Sequence, residues 1–292
     1  MRNSKLSQRE NGVKITVITI NYNNLNGLKR TIPSVLSQTY SQYEYIIVDG
    51  GSTDGSKEYI EQYSPLIDQW VSEPDKGVYN AMNKAIKMAH GEFCIFMNSG
   101  DHFYSATVLD EVLPLLNDAD IYTGYTLRIG DKQVDIWAPP AEVDMHFMMY
   151  DSLSHQATFT RTSILKEQPF SEEYKIVSDW ESFFKAWYQQ KCKYQMLNST
   201  IAVYYLDGIS GNFDLCVKER KKVIKEILGK DVPSDYYCSS VNVTQYLTST
   251  QLKRKKLFEQ KIKSAMNLSP VSRDMKILRN SFKFLIKDLF LK

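Results

Sequence analysis

Residues Tyr43–Asp54 read YEYIIVDGGSTD, and the fold is decided by how this stretch is understood. An apolar run suited to a buried strand breaks abruptly into Asp49, two glycines, Ser52, Thr53 and Asp54. A hydrophobic strand ending in a carboxylate and a small-residue loop builds a pocket at the carboxyl edge of a sheet. That edge is where open α/β sheets bind ligands. Gly50 and Gly51 allow a sharp turn and close approach of a ligand. Asp49 supplies an acceptor for a ribose hydroxyl or a base N–H. The plainer reading of the same residues is an ordinary strand-to-helix turn, with Asp54 or Ser52 as N-cap. The neighbouring segments decide between the two.

Strand-like and helix-like segments alternate outward from this point. Lys14–Ile20 (KITVITI) is a β-branched run, and Asn26 offers a cap for a helix over Leu28–Gln38. A second helix follows over Ser56–Tyr63, and Trp70–Val71 reads as a short third strand. Val78, Met82, Ala85, Ile86 and Ala89 recur at helical spacing. Glu92–Met97 is a buried strand between Gly91 and Asn98. This alternation predicts an α/β fold, a mostly parallel sheet flanked by helices on both faces. Gly130–Tyr150 reads as irregular, with Met145, Phe147, Met148, Met149 and Tyr150 as core filler in preference to a flexible acceptor-side loop. Ile164–Gln190 reads as helical, and the chain beyond Phe213 as Lys-rich helices. The expected division is an α/β domain over 1–212 and a helical, basic C-terminal appendage over 213–292.

The 292 residues suffice for such a domain and appendage, and 43% apolar with 12% aromatic residues indicates a well-buried core. No apolar run reaches the roughly 18–20 residues needed to span a bilayer, and residues 1–13 are polar. The four cysteines show no CxxC spacing. Together these predict a cytoplasmic protein with reduced thiols. The net charge of +2 conceals an asymmetry, because residues 252–292 hold 12 Lys and Arg against 3 Asp and Glu. Within Met275–Leu291, the residues Met275, Leu278, Phe282, Leu285 and Leu289 form one stripe. Lys276, Arg279, Lys283 and Lys287 form another. Such a helix suits an anionic membrane surface, here as a peripheral protein at the inner face, or docks on the domain with its Lys face in water. The acidic body and the lack of a recognition module speak against nucleic acid as a partner.

Four further segments bear chemistry. The first strand ends in Thr19, Ile20, Asn21, Tyr22 and Asn23, polar groups and a ring suited to a heterocycle. No GxGxxG accompanies them, which argues against a dinucleotide fold. In Ser72–Ile86 (SEPDKGVYNAMNKAI), Asp75 and Lys76 lie on a loop and Gly77 opens a helix carrying Asn80, Asn83 and Lys84. A helix start beside lysines suits a diphosphate; a capped helix with a solvated polar face is the alternative. In Phe96–Asp101 (FMNSGD), Asp101 can hold a divalent metal against a diphosphate, or cap a helix near Ala106. In Tyr174–Trp187 (YKIVSDWESFFKAW), Asp179 and Glu181 are two apart and diverge. One is expected in a cleft and the other in solvent. Asp179, at the helix start, is the candidate base or an N-cap.

Taken in order, VITINYNN, IIVDGGSTDGS, SEPDKGVYNAMNKAI, FMNSGD, HQATF and KIVSDWESF resemble the family 2 glycosyltransferases of the GT-A fold, of the bacterial polysaccharide-biosynthesis type. The resemblance covers about residues 14–210. It implies a donor site drawn from Thr19, Asn21, Tyr22, Asp49, Gly50, Ser52, Asp75, Lys76, Asn80, Lys84, Ser99 and Gly100, with Asp179 in the position of the general base. It also implies an enzyme, usually inverting, that moves a sugar from a nucleotide-diphosphate donor, expected to be a UDP-sugar. The acceptor would be a hydroxyl of a glycan or of a lipid-linked sugar. Two departures stand out. Members often read DD where this chain has Asp49-Gly50. They often read DxDD where it has Asn98-Ser99-Gly100-Asp101, which leaves Asp101 as the expected ligand for Mn²⁺ or Mg²⁺. His155, in HQATF, approaches the diphosphate or metal, or is a buried structural histidine. The thinned acidic motifs keep open a non-catalytic sugar-nucleotide-binding paralogue. A nucleotidyltransferase on a related sheet is a third reading.

Overall fold

The structure is a computed structural model that describes residues 14–130, 134–205 and 213–229. Strands β1 (Ile15–Asn21) and β2 (Glu44–Asp49) are buried along their whole length. With β3 (Gln69–Ser72) and β4 (Phe93–Phe96) they form a parallel run ordered β3-β2-β1-β4. Burial on both faces explains why the strands read as unbroken apolar runs. Val17, Tyr45, Ile47 and Ile95 point to one face and pack on Leu28, Ile32 and Val35 of α1 (Leu25–Leu36). Ile18, Ile20, Ile46 and Val48 point to the other and pack on Tyr79, Met82 and Ile86 of α3 (Val78–Met88). Helix α2 (Ser56–Tyr63) completes this half. The cap of α1 is Asn24, whose side chain accepts from Gly27 N at 3.0 Å, rather than Asn26. Gly55 (φ +92°) takes the N-cap position of α2, and Asp54 instead accepts from Ser56 N at 3.1 Å.

The second half adds β5 (His102–Phe103), α4 (Val108–Val112), β6 (Ile121–Ile129), β7 (Val134–Trp137), α5 (Met145–Tyr150), β8 (Thr158–Arg161), α6 (Thr162–Glu167), α7 (Ser178–Tyr188), β9 (Tyr194–Tyr205) and α8 (Phe213–Leu228). The sheet continues past β4 as β8-β6-β9-β5, with β7 also on β6. Pairing here is mixed: β8 is antiparallel to both neighbours, and β9 is parallel to β6 but antiparallel to β5. Two sequence expectations change. Gly130–Tyr150 contains a strand and a short helix, the latter capped by Asp144 on Phe147 N at 2.7 Å. Ile164–Gln190 is two helices, because Pro169 disfavours helical backbone at Gln168 and the chain loops until Ser178.

Phe147, Met148 and Met149 are buried against Trp180 and Phe184 of α7, as core filler. Val223 and Ile224 of α8 join the same cluster, so the first helix beyond the expected division at residue 212 packs on the body. Cys94, Cys192 and Cys216 are free thiols. Among the described residues no helix is long and apolar enough to cross a membrane. The basic stripe of 275–291 lies outside the described residues.

Candidate active site at the carboxyl edge of the sheet

Strands β1, β2 and β3 end side by side, which brings Asn21, Asp49 and Ser72 together. Asp49 is fully buried. One oxygen accepts from Asn21 Nδ2 (2.7 Å) and Ser52 Oγ (2.6 Å), the other from Ser52 N (3.0 Å) and Ser72 Oγ (2.6 Å). Burial pushes its pKa up, but the bonds from Ser52, Ser72 and Asn21 outweigh this and hold it below the ordinary value. Asp49 is therefore the ionised floor of the pocket, and in this arrangement its two oxygens accept from Asn21, Ser52 and Ser72. Thr19 is likewise fully buried, its hydroxyl donating to the Met97 carbonyl at 2.8 Å. It lies below the pocket.

Above this floor the loops present what the strands hold. Tyr22 is 65% exposed, directly before Asn23 at φ +47°. Ser52 Oγ accepts from Asn23 N at 2.7 Å, and Asn23 Oδ1 accepts from Thr53 N at 2.9 Å, lacing the first two loops together. Gly50 lets two side chains come close: a Cβ would stand 2.5 Å from Asp75 Oδ2 and 3.1 Å from the Tyr22 ring, and Asp75 would have to turn aside. Asp75 in turn accepts from Gly77 N at 2.8 Å, folding the 75–77 loop over the pocket with Lys76 exposed. Ser99 and Gly100 (φ +112°) are braced by α1, through Asn24 Nδ2 on the Ser99 carbonyl (2.9 Å) and Gly100 N on Thr31 Oγ1 (3.0 Å). Asn21 Oδ1 and Asn98 Oδ1, at the ends of β1 and β4, are buried with no protein partner. Acceptors left in this way call for an explanation, and a bound ligand is one.

The polar face of α3 is engaged within the protein. Asn80 Nδ2 donates to both oxygens of Glu172 at 3.0 Å, and Asn83 exchanges two hydrogen bonds with the Phe170 backbone (2.8 and 2.9 Å). Lys84 pairs with Glu73 at 2.8 Å and with the Pro74 carbonyl. Asn80, Asn83 and Lys84 thus hold neighbouring segments in place.

Across the cleft, α7 brings in Asp179 in its first turn, not as N-cap, which is Val177. Asp179 Oδ2 meets His155 Nδ1 at 3.1 Å, and Tyr79 Oη stands 3.2 Å from Asp179 Oδ1. The two side chains remain 25% (His155) and 18% (Asp179) exposed. His155 Nε2 contacts Asn98 Nδ2 at 3.3 Å, so it links the base candidate to the end of β4. Burial works against charge on both groups, yet each favours the other's charged form. His155 is held above the ordinary imidazole range by Asp179 and, less, by Asp101, while Asp179 is held below the ordinary carboxylate range by His155. Glu181 does not face solvent as expected; it is 4% exposed and pairs with Lys185 at 2.6 Å.

Residues 16–169 match the family model for glycosyl transferase family 2. The chain belongs to that family. A glycosyltransferase of Mycobacterium tuberculosis, itself uncharacterized, is 40% identical over 104 residues, 35% of this chain and 40% of that protein. TuaG of Bacillus subtilis, named for teichuronic acid biosynthesis, is 34% identical over 124 residues, 40% of this chain and 48% of its own. A PGL/p-HBAD biosynthesis glycosyltransferase of Mycobacterium bovis is 25% identical over 162 residues, 53% of this chain and 62% of that one. The matches thus span between 40% and 62% of these relatives' lengths. S. aureus TarS 1-349 superposes with a TM-score of 0.60 at 18% identity, covering 92% of this chain and 89% of that one. The mannosyltransferase PcManGT from Pyrobaculum calidifontis, in complex with GDP-Man and Mn²⁺, gives 0.58 at 14%, covering 100% and 94%. At these identities the likeness is one of fold.

The donor set of this family 2 chain limits how it could hold a metal. Among the described residues no three His, Cys, Asp or Glu side chains gather into a metal-holding group. Asp101, 7% exposed, stands at the end of the β4 loop without a second acidic residue in Asn98–Asp101. A single carboxylate fits Mg²⁺ or Mn²⁺ only where diphosphate oxygens and water complete the shell, a common arrangement for Mg²⁺. Sequence reasoning missed Ser72, Tyr79 and Asn98. Ser72 and Asn98 carried a signal, since each ends a strand beside a residue already singled out; Tyr79 reads as one more core aromatic.

Proposed function

We propose that this family 2 chain transfers a sugar from a nucleotide-diphosphate donor to an acceptor hydroxyl, with Asp179 as general base. The observation that carries the reading is the Asp179–His155 pair, partly exposed and linked through Asn98 to the loop that follows β4. In this reading Tyr22 stacks on the nucleotide base, and the backbone around Gly50 and Gly100 lies against ribose and diphosphate, with Lys76 over them. The acceptor oxygen gives its proton to the Asp179 carboxylate and forms the new bond to the anomeric carbon. The bond from that carbon to the diphosphate oxygen breaks, the diphosphate leaves with the electron pair, and configuration inverts. His155, donating from Nδ1, keeps the carboxylate ionised and aimed. A divalent cation held by Asp101, when bound, would neutralise charge on the diphosphate.

A UDP-sugar is the first donor to test, because TarS has been solved with UDP-GlcNAc and PcManGT with GDP-Man. A glycan or lipid-linked acceptor is supported by relatives named for teichuronic acid and PGL/p-HBAD biosynthesis. Contact with an anionic membrane through the basic stripe of 275–291 belongs to the same proposal. The test is nucleotide release from UDP-GlcNAc and from GDP-mannose, each with Mn²⁺ and with EDTA. Release of nucleoside diphosphate is expected. Formation of UTP or GTP with sugar 1-phosphate when pyrophosphate is added would mean a nucleotidyltransferase, and binding of either donor without turnover would mean a non-catalytic paralogue. Undiminished turnover in EDTA would remove the metal from the proposal.

A further inference from the structure

The loop that delivers Asp179 is gripped from two sides, by helices distant in sequence. On one side stands Glu219 of α8, 9% exposed. Its Oε1 accepts from Lys175 N at 2.9 Å and its Oε2 from Ile176 N at 3.0 Å. On the other side stands Tyr79 of α3, whose hydroxyl donates to the Ile176 carbonyl at 2.6 Å and lies 3.2 Å from Asp179 Oδ1. The Tyr79 ring also packs on Phe170, whose backbone Asn83 holds at both its N–H and its carbonyl. Ile176 is thus fixed at both polar atoms of its backbone, three residues before the carboxylate.

We infer that Glu219 is a positioning residue for the reaction, acting through Ile176 and Tyr79 to set where Asp179 stands. The inference rests on Asp179 being the base. Its physical content is a charge-assisted bond pair on two N–H groups that precede the first turn of α7. Without an acceptor of that reach, those N–H groups must turn toward water, and Ile176 is free to move with the helix start behind it. Displacing a reacting group by about 1 Å can cost on the order of 10²-fold in rate. Nothing in the nucleotide pocket contacts Glu219, so donor affinity is spared.

The experiment compares Glu219→Gln, Tyr79→Phe and Glu226→Gln in the full chain. Glu226 lies on the same helix and accepts from the Tyr174 hydroxyl at 3.0 Å, so it tests docking of α8 on the same loop without touching Ile176. Two readouts are taken. One is kcat and KM for whichever of UDP-GlcNAc and GDP-mannose the wild type turns over. The other is the His155 titration followed by NMR, which reports the distance to the Asp179 charge whether or not turnover is seen; the chain has four histidines to assign. Glu219→Gln and Tyr79→Phe are expected to lower kcat by about 10- to 100-fold at unchanged donor KM, and to bring the His155 midpoint down toward 6.5. Glu226→Gln is expected to change neither. The inference is overturned if Glu219→Gln leaves the His155 midpoint in place, or if Glu226→Gln lowers it equally, which would make α8 a general support. Should Asp179→Asn keep full turnover while Glu219→Gln still moves the midpoint, the base assignment fails but the link from α8 to Asp179 stands.

Discussion

At the scale of single residues, the site is a set of side chains whose hydrogen-bond capacity is already assigned, with a few left open. Asp179 is bonded to His155 and Tyr79 yet stays 18% exposed, and its removal should be selective. Asp179→Asn keeps the shape and the Tyr79 contact but cannot take a proton. A positioned base contributes roughly 10²–10⁴-fold, so transfer should fall by that order while UDP binding, read by calorimetry, persists. Near-normal turnover would exclude this carboxylate. Gly50 gives a second test. A methyl group there must push Asp75 or the Tyr22 ring aside, since it would stand 2.5 Å from the one and 3.1 Å from the other. Overpacking of this kind costs about 1–3 kcal/mol. Gly50→Ala should weaken UDP binding by about tenfold or more and lower the melting temperature by a few degrees; unchanged binding would show that neither group meets the nucleotide.

At the scale of elements, the opposite edge of the sheet has its own buried carboxylate. Glu44, at the start of β2, accepts from Thr16 Oγ1 on β1 (2.6 Å), Gln69 Nε2 on β3 (3.0 Å) and His90 N after α3 (2.8 Å), and pairs with the His90 ring at 2.8 Å. Burial raises its pKa, but the bonds from Thr16 and His90 prevail and leave it lowered. A lowered folded-state pKa means stability present above the ordinary 4.5 and lost as pH falls through the folded value. Asp49, Asp54 and Glu92 act in the same sense. Chemical denaturation of wild type and Glu44→Gln as a function of pH isolates the one group: the wild-type advantage at pH 7 should shrink on acidification toward pH 3. A constant difference would remove Glu44 from the acid response.

The parallel elements were legible because strands covered on both faces cannot hide; Ile15–Asn21 and Glu44–Asp49 have no solvent side to dilute their apolar run. The mixed half was not. In β6 the sequence IYTGYTLRI interleaves threonines and tyrosines with Gly124, where a Cβ would lie 2.4 Å from Ile201 Cγ1. Such a pattern is explained only by β9 lying against it. The bonds of the α3 polar face were hidden for a related reason: Asn80 and Asn83 announce hydrogen bonding, but their partners, Glu172 and Phe170, are about 90 residues away and no local pattern points to them.

At the scale of the whole molecule, the chain carries its charge unevenly, and this has a measurable consequence. Each Lys or Arg near an anionic surface contributes about 1 kcal/mol, screened by salt, and residues 252–292 hold 12 of them. Full-length protein should sediment with phosphatidylserine-containing liposomes at low salt and release as salt rises. Truncation after Pro270 should abolish sedimentation and leave UDP binding intact. Indifference of the full-length protein to these liposomes, or unfolding on truncation, would assign the stripe to the fold instead.

The strand order also sets a schedule for synthesis. Of the described strands β9 is the last to be made, yet it lies inside the sheet between β6 and β5. As the chain leaves the ribosome, β1 to β4 can pair in order, while the core on their α1 face still waits for Tyr122, Phe159, Leu197 and Ile201. Strand β6 must wait, one side unsatisfied, until residue 205 emerges. Pairings so far apart in sequence form slowly, and an unfilled sheet slot is where a nascent chain recruits a stranger's strand. A ribosome pausing before codon 194 would therefore hold a half-built sheet with a ready-made docking groove. Synonymous codons that slow that stretch should lower soluble yield without altering a single residue of the product.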